Sequence, residues 1–268
     1  MQISDKVFVV TGGGNGMGRE VVLGLIARGA RVAAVDLSED GLAETARLAA
    51  APEGRLTTHA LSVSDRPAVL ALPDQVIAAH GQVDGVFNVA GIIQPFVKLV
   101  DLDFDAIERV MNVNFWGTVN VTKAFLPHLL QRPAAGILNV SSMGGFLPVP
   151  GQAAYGASKA AVKLFTEALF AETQGTPVAV TVVFPGGVGT NITQNSGVAM
   201  PAGAEAMAAK APKTVTPADA GRQIIEGFER GDFRVRIGSD AKFMDRYARL
   251  SPKRATLLIA NQMKQLLG

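Results

Sequence analysis

A phenol and an ammonium group lie one helical turn apart in this sequence. Tyr155 and Lys159 fall in an alanine-rich, helix-like stretch, and residues at positions i and i+4 of a helix share one face. A lysine ammonium beside a phenol favours the phenolate, which brings a tyrosine pKa from about 10 towards the working range of a general base. Tyr155 is therefore the candidate for giving and taking a proton.

Ser142 adds a hydroxyl group near this pair. It precedes Tyr155 by 13 residues and follows the apolar run 137–140, which is predicted to be a strand. Ligands of open α/β sheets bind at the carboxyl ends of the strands. Ser142 can therefore hydrogen-bond a substrate oxygen and hold it for reaction. The alternative is a serine that only ends the strand.

A glycine-rich turn near the start of the chain is suited to phosphate. Residues 11–18, Thr-Gly-Gly-Gly-Asn-Gly-Met-Gly, join an apolar run to a helical stretch. Gly12 permits a tight turn, Gly16 lets the backbone approach a pyrophosphate, and Gly18 lets the helix pack on the strand. Free N–H groups at the helix N-terminus attract the phosphates. This strand–turn–helix–strand context favours a dinucleotide site over a turn with a structural role only.

An acidic residue ends the second predicted strand. Asp36 lies 18 residues after Gly18, where a carboxylate accepts hydrogen bonds from an adenosine ribose and repels a 2′-phosphate. Neither Asn15 nor Leu37 supplies the cation that a phosphorylated cofactor needs. The sequence therefore predicts NAD as the cofactor. The alternative is that Asp36 caps the next helix, although Ser38 is better placed for that role.

Short β-branched runs alternate with helical stretches along the chain, the pattern of right-handed βαβ crossovers. The runs are almost continuously apolar, as strands buried on both faces must be. We therefore predict an α/β fold: a Rossmann-type, doubly wound parallel sheet of about seven strands flanked by helices, as a single domain over residues 1–268. Strands are predicted at 7–10, 31–35, 56–61, 83–89, 136–140, 178–184 and 234–237, and helices at 17–28, 39–50, 67–80, 104–130 and 154–173.

Two regions break this alternation. Residues 186–216 contain glycine, proline and asparagine without clear periodicity, and a loop of that length is usually functional, so we expect it to bind substrate. Residues 240–268 are predicted to be a C-terminal helical tail. Its basic side chains indicate a solvated or subunit-contact face: Lys242, Arg246, Arg249, Lys253 and Arg254.

Composition excludes several kinds of chemistry. The 268 residues include no cysteine, which excludes thiol nucleophiles, disulfides and cysteine-ligated metals. His59, His80 and His128 are scattered, so no metal site is expected. The net charge is only +2 and no basic run is present, so no nucleic-acid partner is expected. Without a signal peptide or apolar span we expect a cytoplasmic protein that does not bind membranes.

In their order and spacing these motifs resemble those of the short-chain dehydrogenases/reductases, over residues 6–238. The resemblance implies hydride transfer between a nicotinamide cofactor and an alcohol or ketone, with the pro-S hydride transferred. It rests on the T-G-x-x-x-G-x-G turn at 11–18, an N-N-A-G motif at 88–91, Asn114, Ser142, the Tyr155–Lys159 pair and a P-G-x-V-x-T motif at 185–190.

The resemblance also implies roles for the catalytic residues. Tyr155 is the acid and base, and Lys159 binds the nicotinamide ribose and lowers the pKa of Tyr155. Ser142 orients the substrate oxygen. Asn114 distorts its helix and holds a water that links Lys159 to solvent.

A larger set is implied to contact the cofactor, with Val188 and Thr190 on the nicotinamide carboxamide. Two positions depart from the family pattern. Ser62 stands where the family has an aspartate on adenine, and Val89 replaces the second asparagine of N-N-A-G. The full set is Gly12, Asn15, Gly16, Met17, Gly18, Asp36, Leu37, Ser62, Val63, Asn88, Ala90, Gly91, Tyr155, Lys159, Pro185, Gly186, Val188 and Thr190.

The candidate substrate pocket is mainly apolar, which predicts a hydrophobic alcohol or ketone. The same residues could equally pack the core or a subunit contact. Ser142 holds the substrate oxygen, and the other candidates flank it or lie in the loop 186–216: Ile93, Gln94, Phe96, Met143, Phe146, Val149, Gln152, Val198 and Met200.

We therefore expect an NAD-dependent oxidoreductase that interconverts a hydrophobic secondary alcohol and its ketone. The alternatives are a 3-oxoacyl-thioester reductase that uses NADPH and a non-catalytic NAD-binding protein. The chain is 48% hydrophobic, which suggests surface buried between subunits. The resemblance implies that the helices predicted at 104–130 and 154–173 form a dimer contact that is doubled into a homotetramer, and small residues in 154–173 allow close packing there. A dimer is the second choice.

Overall fold

Seven parallel strands form one sheet in the order β3-β2-β1-β4-β5-β6-β7. The structure is a computed structural model that describes residues 1–199 and 214–267. The sheet confirms the predicted fold class, and strand bounds shift by no more than a few residues. The strands are β1 (Val7–Thr11), β2 (Arg31–Asp36), β3 (Leu56–Ala60), β4 (Gly85–Asn88), β5 (Ala135–Val140), β6 (Val178–Pro185) and β7 (Arg234–Ile237).

Helices cover both faces of this sheet and supply the crossovers between its parallel strands. Two short 3₁₀ turns, Leu99–Asp101 and Met143–Gly145, occur in the loops after β4 and β5. The described α-helices are α1 (Gly16–Ala27), α2 (Glu39–Ala49), α3 (Arg66–His80), α4 (Phe104–Met111), α5 (Gly117–Leu129), α6 (Ala153–Glu172), α7 (Ile192–Asn195), α8 (Pro217–Arg230), α9 (Ser239–Leu250) and α10 (Pro252–Leu267).

Local sequence signals set the starts of several helices. The Ser38 hydroxyl caps α2 by accepting a hydrogen bond from Gly41 N at 3.0 Å, as predicted. Asp65 caps α3 in the same way. The single long helix predicted at 104–130 is instead divided into α4, a five-residue π-helical segment at Asn112–Trp116, and α5.

The two faces of the sheet bury separate hydrophobic cores. On one face, Phe8 and Phe87 meet Phe228 of α8, with ring centroids 5.7 Å and 4.5 Å from that of Phe228. On the other face, Val9 packs with Phe125 of α5. Phe8 and Val9 are neighbours on β1 that point to opposite faces, which is why the strand is apolar throughout.

The order of the strands reverses between β1 and β4, because β2 and β3 lie on one side of β1 and the later strands lie on the other. These strands are hydrogen-bonded neighbours, with Thr11 opposite Asn88 at their carboxyl ends. The connections that leave them run to opposite sides, and this topological switch point opens a crevice where open α/β sheets bind ligands.

The C-terminal tail packs beside the carboxyl end of β6. Asp240 of α9 accepts a hydrogen bond from Gly187 N at 2.8 Å, just after β6. Met244 and Ala255 bury against Leu147 in a third, small core. Among the described helices, none is both long enough and apolar enough to cross a membrane. Of the predicted substrate loop, residues 200–213, including Met200, lie outside the described part of the chain, as does Gly268.

Candidate active site

A cleft of about 480 Å³ opens at the switch point between β1 and β4. Many of the residues predicted to hold a dinucleotide line it: Gly12, Asn15, Gly16, Met17, Gly18, Asp36, Leu37, Ser62, Val63, Ala90, Gly91 and Thr190. Others that line it were not predicted: Gly14, Val35, Ser38, Gly41, Leu61, Val89, Ile92, Val113, Ile192 and Asn195.

The glycine turn leaves no room for side chains at its floor. A Cβ atom on Gly18 would lie 2.0 Å from the carbonyl oxygen of Gly12, so helix α1 can begin this close only with glycine there. Gly12 has a positive φ of 72°, and a Cβ on it would lie 2.9 Å from the backbone of Ala90. The turn therefore presents bare backbone beside the N-terminus of α1, which fits a pyrophosphate.

Asp36 supplies the cleft with its charge. One carboxylate oxygen accepts a hydrogen bond from Gly14 N at 2.9 Å, and the other accepts one from Ser38 N at 3.0 Å. Each oxygen keeps a lone pair for a further donor, such as a ribose hydroxyl. Among the described residues that line the cleft, Asp36 is the only charged one.

Arg19 is a cation near the turn that the sequence did not predict as part of the site. Arg19 donates hydrogen bonds to the carbonyl oxygens of Gly14 and Gly41, and its Nε donates to Thr45 Oγ1 at 3.0 Å. Its guanidinium is thus held by the backbone of the turn and of α2 and does not line the cleft. Arg19 follows the glycine motif directly, which is the only sequence signal for this role.

The opposite wall of the cleft comes from the segment after β6. Thr190 lies over the turn, so that a Cβ on Gly16 would be 3.4 Å from its methyl group. Asn15 Nδ2 donates to Asn195 Oδ1 at 3.4 Å, which bridges the two walls. The sequence could not place Asn195 or Ile192 because this segment lacks periodicity.

Lys159 does not line the cleft but lies next to Gly91, which does. A Cβ on Gly91 would lie 3.0 Å from Lys159 Nζ. The ammonium group donates to the carbonyl oxygen of Val140 at 3.0 Å, and the residue is only 4% exposed. Burial lowers the pKa of Lys159 to about 8.

Tyr155 is half-buried on the first turn of α6 and lies beside Ser142, since a Cβ on Gly144 would be 3.5 Å from both Ser142 Oγ and Tyr155 Cε1. Burial raises the pKa of the Tyr155 phenol, and the hydrogen bond to Ser142 opposes this by lowering it. Lys159 Nζ lies 6.0 Å from the centroid of the Tyr155 ring. In the chain by itself burial has the larger effect on both groups, and the prediction that Lys159 lowers the pKa of Tyr155 stays a prediction.

Ser142 ends the stretch that leads out of β5. Its Oγ accepts a hydrogen bond from Gly144 N at 3.0 Å and starts the 3₁₀ turn that follows. This bond holds the hydroxyl facing Tyr155, and its own proton stays available for an acceptor.

Asn114 lies fully buried in the π-helical segment. Its Oδ1 accepts from Ile92 N at 2.9 Å, and its Nδ2 donates to Ile92 O at 3.0 Å and to Ser158 Oγ at 2.9 Å. Ser158 in turn donates to the carbonyl oxygen of Tyr155 at 2.7 Å. Asn114 thereby connects the loop after β4 to the catalytic helix, in a helix distorted as the resemblance implied.

Several predicted cofactor residues lie outside the cleft. Asn88 is buried and donates to Asn139 Oδ1 at 2.8 Å, so it joins β4 to β5. Val188 pairs with Val215 in an isolated bridge, and Gly186 lies against the Asp240 side chain, beside Pro185. Ser62, by contrast, lines the cleft, and its Oγ is paired with Ser64 Oγ at 2.7 Å.

Some of the candidate substrate residues also pack against other elements. Phe146 stacks edge-on against Phe184 at 5.4 Å, and with Met143 it joins the small core beneath the tail. Ile93 is 6% exposed and Gln152 is buried. Val149 is half-buried in the loop before α6.

Comparison with known proteins identifies the family of the chain. Residues 6–200 match the family model described as short chain dehydrogenase. SadH of Mycobacterium tuberculosis, which is named an oxidoreductase, is 41% identical over 261 residues, covering 95% of this chain and 94% of that protein. The 3-oxoacyl-[acyl-carrier-protein] reductase FabG of Thermotoga maritima is 33% identical over 196 residues, covering 72% and 78%.

Solved structures show the same architecture. A short-chain dehydrogenase/reductase of Burkholderia phymatum in complex with NAD superposes with a TM-score of 0.86 at 26% identity, covering 94% of this chain and 96% of that one. A short-chain dehydrogenase of Burkholderia cenocepacia in complex with NADP gives 0.79 at 23% identity, covering 97% and 99%, and supports the fold alone. The chain belongs to the short-chain dehydrogenase/reductase family of oxidoreductases.

Proposed function

We propose that the chain is an NAD-dependent oxidoreductase that interconverts a hydrophobic secondary alcohol and its ketone. The observation that carries the proposal is that Ser142 Oγ lies beside the Tyr155 ring, with Lys159 next to Gly91 in the wall of a cleft suited to a dinucleotide. When bound there, the nicotinamide dinucleotide supplies the hydride acceptor or donor.

The chain's own residues handle the substrate oxygen and its proton. Ser142 holds the oxygen by a hydrogen bond, and Tyr155 takes the alcohol proton in oxidation or returns it in reduction. Lys159, held on Val140 O, places a positive charge within reach of a cofactor ribose. Asn114 and the glycine turn keep the walls of the site in place.

Asp36 is the argument for NAD. Its carboxylate is free to accept from two ribose hydroxyls, and no lysine or arginine is found among the described lining residues to balance a 2′-phosphate. Arg19, the nearby cation, is engaged by backbone carbonyl oxygens.

An apolar set of candidates near Ser142 supports a hydrophobic substrate. Met143, Phe146 and Val149 follow Ser142 in the chain and are half-buried, so each keeps surface for contact with the substrate. The loop 186–216 is proposed to complete the pocket within the single domain.

A 3-oxoacyl-thioester reductase is the second candidate function. It is favoured by the 33% identity with the Thermotoga maritima 3-oxoacyl-[acyl-carrier-protein] reductase. A strong preference for NADPH and for thioester substrates would identify it. An NAD-binding protein without activity is the third possibility that the experiment distinguishes.

The test is NAD reduction by the purified protein across a panel of hydrophobic secondary alcohols. We expect turnover, and its loss by about 100-fold or more in Tyr155→Phe, because general acid–base catalysis contributes about 10² to 10⁴. Tyr247→Phe is the matched control, since Tyr247 lies in the tail and should leave turnover unchanged. Full activity in Tyr155→Phe would refute the mechanism, and NAD binding without turnover on the panel would favour the third possibility.

We further propose a homotetramer, with a dimer as the second choice. Large apolar side chains are exposed on the face formed by α4, the π-helical segment and α6, with Phe104 81% exposed and Leu164 63% exposed. Burial of such a face against a second copy removes it from water. Light scattering that gives the mass of one chain at micromolar concentration would contradict both assemblies.

A further inference from the structure

Gln94 is a polar side chain in a fully buried position. It lies in the loop after β4 with 0% of its surface exposed. Its Oε1 accepts hydrogen bonds from Ala154 N at 2.8 Å and from Tyr155 N at 3.0 Å. Its Nε2 donates to the carbonyl oxygen of Gly151 at 3.0 Å. Both polar atoms of the amide are thus committed to the backbone where α6 begins.

Helix α6 lacks a cap from its own sequence. The first N–H groups of any helix have no partner inside it, and they need one when they are buried. Gln152, the residue before α6, makes no side-chain capping bond. Gln94 takes that role from 60 residues away, and one of the two N–H groups that it binds belongs to Tyr155 itself.

Gln152 fixes Gln94 from the other side. Its Nε2 donates to the backbone carbonyl oxygen of Gln94 at 3.0 Å, and Gln152 is only 4% exposed. The two glutamines therefore hold each other: the side chain of one binds the helix start, and the side chain of the other binds the backbone of the first.

The three residues before Gln94 reach the remaining parts of the site. Gly91 lines the cleft next to Lys159, as described above. Ile92 exchanges two hydrogen bonds with Asn114, and Ile93 N donates to Ser196 Oγ at 3.0 Å. The loop 91–94 thus connects the cofactor cleft, the π-helical segment and the first turn of α6.

We propose that Gln94 is a positioning residue that acts through Tyr155. By holding the first turn of α6, it keeps the Tyr155 ring beside the Ser142 hydroxyl. The proposal rests on the proposed function, in which Tyr155 transfers the proton. It replaces the expectation that Gln94 lines the substrate pocket, because both polar atoms of its amide bind backbone groups at the start of α6.

Two substitutions separate the hydrogen bonds from the volume of the side chain. Gln94→Met keeps the length and removes both polar atoms, whereas Gln94→Glu keeps an oxygen that can accept from Ala154 N and Tyr155 N. Gln174→Met is the matched control, because Gln174 is exposed at the other end of the same helix.

We expect Gln94→Met to lower kcat for alcohol oxidation by about 10- to 100-fold, since small misplacements of a catalytic group have effects of that order. The KM and Kd for NAD should stay within about twofold, because the glycine turn and Asp36 are untouched, and this binding also verifies the fold. Gln94→Glu should recover most of the lost kcat, and Gln174→Met should match the parent. Unchanged kcat in Gln94→Met would overturn the proposal.

Two further measurements do not depend on turnover. Amide hydrogen exchange at Ala154 and Tyr155 should accelerate in Gln94→Met and not in Gln94→Glu. In a Tyr247→Phe background, the tyrosinate absorbance of Tyr155 should titrate with a midpoint shifted by about half a pH unit or more in Gln94→Met, because its contact with Ser142 changes. If the parent oxidises no alcohol, the proposed function fails, and these two signals alone decide the role of Gln94: if neither changes, Gln94 does not position Tyr155.

Discussion

Replacing the Asp36 carboxylate by an amide is the sharpest test of the cofactor preference. Asp36→Asn keeps the shape of the side chain and removes the one charge among the described residues that line the cleft. A phosphomonoester carries about −1.5 to −2 charges at pH 7, and NAD has no such group on its adenosine ribose. The variant should therefore accept NADP much better than the parent does and lose little efficiency with NAD.

The size of the effect follows from the position of Asp36. Two unit charges about 5 Å apart repel by about 0.8 kcal/mol in water and by about 3 kcal/mol at an effective dielectric constant of 20. Asp36 is half-buried, and two backbone N–H groups at 2.9 and 3.0 Å already share its charge, so the lower half of this range applies. For a doubly charged phosphate we take about 2 kcal/mol, which is about 30-fold in rate.

The assay is the ratio of kcat/KM for NAD to kcat/KM for NADP, measured with one alcohol. We expect this ratio to fall about 30-fold in Asp36→Asn and to stay unchanged in Glu39→Gln, which removes an exposed acid from the first turn of α2. Raising the salt from about 0.1 M to about 1 M shortens the Debye length from about 10 Å to about 3 Å. The higher salt should therefore lower the NAD-to-NADP ratio of kcat/KM for the parent and leave that of Asp36→Asn unchanged. An unchanged ratio in Asp36→Asn would refute the assignment of NAD to this carboxylate.

Three further predictions concern stability. Burial lowers the pKa of His59 and of His80 below 6.5, so both side chains bind protons less well in the folded chain than in the unfolded chain. The stability that they contribute should be complete above pH 6.5 and decline as the pH falls below it. Thermal melts in a pH series will show this decline, and a His59→Asn, His80→Asn variant should flatten it. Asp84 is fully buried and accepts hydrogen bonds from Val7 N at 2.9 Å and from Arg132 Nε at 2.9 Å. Asp84→Ala leaves these donors unpaired, so denaturant titrations should give a free energy of unfolding that is lower by about 3 to 5 kcal/mol. The pKa of Lys159 falls from 10.5 to about 8 on folding, because burial disfavours the charged ammonium. Lys159→Met removes this buried charge and should stabilise the chain at pH 7 by about 2 to 3 kcal/mol while abolishing turnover. Equal or lower stability of the variant would contradict this reasoning.

Local patterns were sufficient for the features that depend on neighbouring residues. The seven strands, the caps at Ser38 and Asp65 and the glycine turn are encoded within a few positions of where they act. Asp36 belongs with these features, since the end of an apolar run fixes its place at the edge of the sheet.

Features that depend on distant partners could not be predicted from local patterns, and the distorted helix around Asn114 was expected only from the family resemblance. The π-helical segment forms where Asn114 exchanges hydrogen bonds with the Ile92 backbone, 22 residues earlier. His59 and His80 are 21 positions apart in the sequence, yet both hydrogen-bond the Thr57 hydroxyl, at 3.1 and 2.9 Å, because β3 lies beside the end of α3. Phe146 has the composition of a pocket residue, yet it packs inwards because the C-terminal tail folds back over it.

The charge states of Tyr155 and Lys159 in the free chain favour one direction of proton transfer. Burial raises the pKa of Tyr155, so at neutral pH the phenol keeps its proton and can donate it to a developing alkoxide, as ketone reduction requires. Alcohol oxidation needs the phenolate, and among the described residues the Ser142 hydroxyl lowers the pKa of the phenol. Lys159, with a pKa of about 8, is mostly charged at pH 7 but held on Val140 O, 6.0 Å from the centre of the phenol ring. Oxidation should therefore gain from rising pH more than reduction does, and the hold of Gln94 on the Tyr155 backbone matters most in that direction, because the Ser142 contact is then essential.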